Sequence, residues 1–212
     1  MPKLDAVVGD PLAAFEATRA QTLAALAPLS QGQLDFTPAP GRWSIGEVAD
    51  HLRLAEGLYR GEVAALVELA RAGRRPWLKR SFDDINVAPL HLPPPLLSWF
   101  QMPLSLVSRV LPDRVRSVVT EFPLLPTRNP DRATPRPGRD ARELRAALAG
   151  SLAETRALIE ANSDLDFTQM ISEHPLTGAS SVPQILRFLS LHERRHQGQM
   201  ERVRTGPAFP RV

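Results

Sequence analysis

Two histidines four residues apart, His192 and His196 in L-H-E-R-R-H-Q-G-Q-M, share one face of a helix and can aim both imidazoles at one point. A third, His51, lies far upstream in W-S-I-G-E-V-A-D-H-L. Brought in from a second helix, it would complete a three-nitrogen metal site with an open coordination position. That is the layout of a catalytic rather than a structural zinc-type site. The chain has five histidines, and the other two, His91 and His174, read as loop residues and are not assigned to the metal. Neutral imidazoles suit zinc, nickel, copper or iron without choosing among them. Cysteine is absent, so the protein has no disulfide, no thiolate ligand and no Cys nucleophile. A bound metal lowers the pKa of a coordinated water to about 7, or deprotonates a coordinating thiol outright. Either is a nucleophile at neutral pH, and a low-molecular-weight thiol cosubstrate would fit such a centre.

Several neighbours of the histidines have a functional and an ordinary reading. Glu193 adjoins a candidate ligand and is the one candidate catalytic residue, as a base; the ordinary reading is a solvated face charge. Glu47, Asp50 and Gln199 lie within a turn of a histidine and are candidates to orient its ring. Glu47, however, is already explained as a helix cap. Arg194 and Arg195 are candidates to hold an acidic cosubstrate, against the plainer role of helix-surface charges. Tyr59 falls two turns beyond His51, as pocket wall or as core.

The elements that must carry these side chains read as four helices. The first spans about residues 10–29, with Leu12, Phe15, Leu23, Leu26 and Leu29 on an apolar stripe. In the second, Ser44 is the N-cap and Glu47 completes a capping box, and the stripe runs through Leu52, Ala55, Leu58, Val63 and Leu66 to a stop at Gly73. The third opens at Asp140 and runs to about 162; the fourth opens at Ser181, with Pro183 in its first turn and Gln184 closing a second box. No run of alternating strand residues appears. The expectation is all-α.

Between the second and third helices, residues 73–139 are rich in proline. The apolar part, with Trp99, Phe100, Met102 and Leu104, reads as short helices broken at Pro103; the part after Glu121 reads as extended chain. So long a connection is explained if it joins parallel neighbours and must cross the whole bundle. A weak internal repeat agrees. S-I-G-E-V-A-D-H-L-R-L-A-E from Ser44 aligns with S-V-P-Q-I-L-R-F-L-S-L-H-E from Ser181, placing Glu56 on Glu193, and an L-D-F-T precedes each, at Leu34 and Leu165. Two such hairpins give a four-helix bundle in up-down-down-up order, one domain over residues 1–212. The histidines break the repeat: His51 falls on Phe188 and His192 on Ala55.

With 212 residues and a net charge of +3, the composition is that of a globular protein with no basic nucleic-acid face. No signal peptide or apolar span of about 20 residues is seen, so the expected location is cytoplasmic, with no membrane partner. The apolar crossover is a candidate for extra core, a pocket lid, or a homodimer surface, and the expected assembly is a homodimer.

In W-S-x-x-E-x-x-x-H-L at Trp43 to Leu52, followed by H-x-x-x-H at His192 to His196, the chain resembles the DinB/YfiT-like superfamily, grouped as metalloenzymes although many members have no assigned reaction. The resemblance covers about residues 10–72 and 140–204. It implies a divalent metal, zinc or nickel, on His51, His192 and His196. Better-understood relatives include thiol S-transferases, and the first functional expectation is a metal-dependent enzyme of the thiol S-transferase or hydrolase type acting on a small molecule, in detoxification or stress response. The alternative from another class is a non-catalytic bundle whose metal is structural or vestigial.

Overall fold

The computed structural model describes residues 6–80, 133–174 and 178–211. Its helices are α1 (Ala6–Leu26), the short α2 (Gln31–Asp35), α3 (Ile45–Arg71), α4 (Ala141–Ala161) and α5 (Val182–Arg204). Their starts follow from side chains that take up orphan backbone N–H groups. Ser44 Oγ accepts from the Glu47 N–H at 3.1 Å while the Glu47 carboxylate accepts from the Ser44 N–H at 2.9 Å. Asp140 accepts from the N–H groups of Arg142 and Glu143, and Gln184 reaches back to the Ser181 N–H at 2.8 Å. Just beyond α3, Gly73 takes φ +67°, a turn that costs other residues strain.

The four long helices pack in a ring, α1 touching α4 and α5, and α3 touching the same two. Thr18 meets Ser190 and Thr22 meets Glu193, so α1 and α5 run the same way. Arg60 bonds Ser151 and Arg71 bonds Asn162, so α3 and α4 also run together. Across the ring the order reverses: His51 faces His192 while Tyr59 faces Phe188. The chain must therefore return the length of the bundle between α3 and α4. The apolar crossover residues around Pro103 and His91 lie outside the described residues.

The all-α expectation needs a correction. Strands β1 (Trp77–Lys79), β2 (Ile171–His174) and β3 (Gly178–Ser181) form a small sheet. β1 pairs parallel with β2, Trp77 opposite Ile171, and β2 pairs antiparallel with β3, Ile171 opposite Ser181. Strands of three or four residues, reading I-S-E-H and G-A-S-S, are too short and too polar to show a period of two. The sheet braces the bundle: Ser172 donates to buried Glu62 of α3 at 2.6 Å, and Arg80 pairs with the same carboxylate. β3 runs straight into the Ser181 cap of α5.

Apolar clusters fill both ends of the bundle. One centres on Leu26, Val48, Leu144 and Met200, the other on Leu12, Leu66, Ile159 and Leu186. A buried polar layer lies between them, and the histidines lie at the same level of α3 and α5. Among the described residues no helix is long and apolar enough to cross a membrane.

Candidate metal centre

α3 delivers His51, and α5 delivers His192 and His196, to one point. Nε2 of His192 lies 3.4 Å from Nε2 of His51 and 3.1 Å from Nε2 of His196. One nitrogen of each ring falls within 4.8 Å of the others; His51 and His196 are buried, His192 half-buried. The outer nitrogens of two rings are fixed. Nδ1 of His51 sits 2.9 Å from the Ala133 carbonyl, and Nδ1 of His196 sits 2.9 Å from Oε1 of Gln199. Both oxygens only accept, so both Nδ1 atoms carry the proton and both neutral rings turn an Nε2 lone pair inward. His192 has at most one Nε2 proton to share between them.

Extra protons are not favoured here. Burial depresses the pKa of all three rings. That of His192 falls well below the usual histidine range, helped by His196 and His51. That of His196 falls to about 4, where burial is joined by the charge of His51. His51 is lowered chiefly by burial, against the opposing pull of the Ala133 bond and Asp50. Neutral imidazoles thus bring more lone pairs than protons to one point, an arrangement that a cation completes. A metal about 2.0–2.1 Å from each nitrogen, at near-tetrahedral angles, would space them by about 3.3 Å. The two separations from His192, 3.4 and 3.1 Å, bracket that value, and the His51–His196 pair lies within 4.8 Å.

Aromatic rings wall the cluster. Trp43 lies 5.0 Å from the His51 ring, Phe188 stacks on His192 at 5.6 Å, and Tyr59 packs on Phe188 at 5.1 Å. Arg195 is within electrostatic reach of all three imidazoles and helps lower each. Arg194 turns instead to Thr18 of α1.

Glu193, the sequence candidate for a base, is placed elsewhere. It is 1% exposed, and its carboxylate accepts from Nε and Nη2 of Arg19 and, at 2.6 Å, from Thr22 Oγ1. A solvated face charge is equally far from what is found. Glu47 serves the α3 cap, and His174, read from the sequence as a loop residue, lies instead in strand β2, its pKa lowered to about 4 by burial and by Arg80. Gln199 and Asp50 do hold positions beside the ligands.

Sequence reasoning missed Arg19. It lies on the inward stripe Leu12, Phe15, Arg19, Thr22, Leu26, all buried, where a charge among apolar residues at helical spacing was the available signal. It missed Ala133 as well, since a backbone carbonyl leaves no trace in a sequence.

The chain belongs to the DinB superfamily, whose sequence pattern matches residues 14–200. No curated protein and no solved structure shows a significant match. The family and the buried three-histidine cluster together support a metal-dependent role in general terms.

Proposed function

We propose that His51, His192 and His196 hold a divalent metal ion, zinc or nickel, and that the protein is a metal-dependent transferase or hydrolase. It would turn a thiol or a water onto a small electrophile, as in detoxification or stress responses. The convergence of Nε2 lone pairs from neutral rings carries this reading. When bound, a divalent ion supplies Lewis acidity, which makes a thiol or a water nucleophilic at neutral pH. The chain's own residues do the rest. Ala133 and Gln199 hold two imidazoles with Nε2 inward, and Phe188 and Trp43 limit water on two sides. Arg195 offers a cation beside the cluster for an acidic group on a substrate or thiol. With no cysteine in the chain, a thiol must come as cosubstrate. We assign Glu193 a structural part, because both its oxygens are engaged by Arg19 and Thr22.

The test is elemental analysis of protein made without a histidine tag, followed by turnover assays with small bacterial thiols, an aryl halide and simple esters. Metal-dependent turnover that disappears in His192→Ala is the expected result. Absence of metal even after reconstitution would refute the site. Stoichiometric metal with no turnover on any pair would refute the enzyme and leave a structural metal.

A further inference from the structure

Asp50, adjacent to His51, is fully buried and heavily bonded. Its Oδ1 accepts from Arg53 at 2.8 and 3.1 Å and from Arg139 at 3.1 Å; its Oδ2 accepts from the Arg136 N–H at 3.0 Å. Arg53 belongs to α3, but Arg136 and Arg139 belong to the last stretch of the crossover, just before the Asp140 cap of α4. The same stretch begins with Ala133, 2% exposed, whose carbonyl accepts from Nδ1 of His51. Pro135 and Pro137 have no N–H to give, and Gly138 turns the chain at φ +70°. Side-chain anchors must therefore take the place of a backbone ladder here.

We infer that Asp50 is a positioning residue for the metal centre: it pins the returning crossover to α3 so that the Ala133 carbonyl keeps His51 in the Nδ1–H tautomer with Nε2 free to ligate. This rests on the reading that the three histidines hold a metal. Asp50 accepts its hydrogen bonds from Arg53, Arg136 and Arg139 and acts through residues 133–139. With the crossover released, Nδ1 loses its acceptor, and a neutral His51 divides between two tautomers. The Nε2–H form cannot bind a metal through that atom. Partners that fix a ligand's orientation are typically worth ten- to a hundred-fold in metal affinity.

The experiment compares wild type with Asp50→Asn, which keeps the shape but weakens acceptance from two arginines and the Arg136 N–H. Zn²⁺ affinity is measured by chelator competition, the Co²⁺ derivative gives a d–d spectrum, and nitrogen NMR of the metal-free protein reads the His51 tautomer. The expected result is a ten- to hundred-fold loss of Zn²⁺ affinity, an altered Co²⁺ band, and a rise of the Nε2–H form at His51, with helix content unchanged. Asp50→Glu, which restores the charge, should recover part of the affinity. Equal Zn²⁺ affinity in Asp50→Asn and wild type overturns the inference, as does weaker binding with His51 still wholly Nδ1–H. If Asp50→Asn does not fold, Arg139→Gln removes one anchor at a half-exposed position. The same three measurements then apply to it, and equal Zn²⁺ affinity or an unchanged His51 tautomer again overturns the inference. A wild type that binds no Zn²⁺ overturns the metal reading itself, an outcome distinct from equal binding by both proteins.

Discussion

Arg19→Met removes five hydrogen bonds, to Glu193, Glu56 and the Leu148 carbonyl. It leaves two carboxylates, each 1% exposed, without a counter-charge. In the intact protein burial alone would lower the Arg19 pKa, but the bonds and charges of Glu193 and Glu56 outweigh it and leave the guanidinium firmly charged. Deleting one partner of such a buried group costs about 3–5 kcal/mol, because the remaining charge has neither water nor a partner. Against a total stability of about 5–15 kcal/mol that is a large share. Most of the loss comes from stranded charge rather than lost packing, since Met fills much of the same volume. Arg19→Met combined with Glu56→Gln and Glu193→Gln should therefore recover much of the deficit. Urea unfolding followed by circular dichroism at neutral pH measures both effects. A cost below about 1 kcal/mol in the single variant, or a triple variant no more stable than the single, would refute the charge-stranding account.

The metal-free protein should be acid-labile. The pKa of His196 is about 4 in the folded chain against about 6.5 unfolded, so the unfolded state binds more protons between those values. Stability is full above pH 6.5 and falls as pH drops toward 4, by about 3 kcal/mol from this residue alone, and His174 acts in the same direction; denaturant midpoints across that range check it. Replacing His51, His192 or His196 by Ala should lower bound metal by orders of magnitude, whereas His174→Ala and His91→Ala should retain it, as read by elemental analysis of all five variants. Gly73→Ala meets open space but must hold φ +67°, so it should cost about 1–2 kcal/mol in unfolding free energy with metal content unchanged.

Legibility followed how local the determining physics is. The ends of α3, α4 and α5 were readable because a cap acts on its own turn: Ser44 with Glu47, Asp140 with its next residues, Ser181 with Gln184. The histidine trio was readable because spacing four on one helix needs no tertiary information, and W-S-x-x-E-x-x-x-H-L supplied the third member. The sheet was not, since β1 and β2 are neighbours in space but lie far apart in sequence. The fate of Glu193 was not either. Adjacency to a ligand says nothing about direction, and one step of about 100° round the helix carries it from the α3 side toward α1.

The repeat explains more than the scaffold. Glu56 and Glu193 correspond in the two halves, and the structure brings both to the single guanidinium of Arg19. Their remaining bonds are exchanged between halves: Thr22 of α1 donates to Glu193, and Thr155 of α4 donates to Glu56 at 2.7 Å. This paired exchange of hydroxyl and carboxylate ties each hairpin to the other at mid-height. Arg19, contributed by the first hairpin alone, breaks the symmetry. The histidines break it a second time, with Phe188, the counterpart of His51, stacked on His192. A two-fold scaffold built to equalise its halves would give two half-sites. The departures at Arg19 and Phe188 concentrate the charge network on one side of α5 and the imidazoles on another. Glu193 and His192, one residue apart, can thus serve a lock and a site at the same level of the bundle.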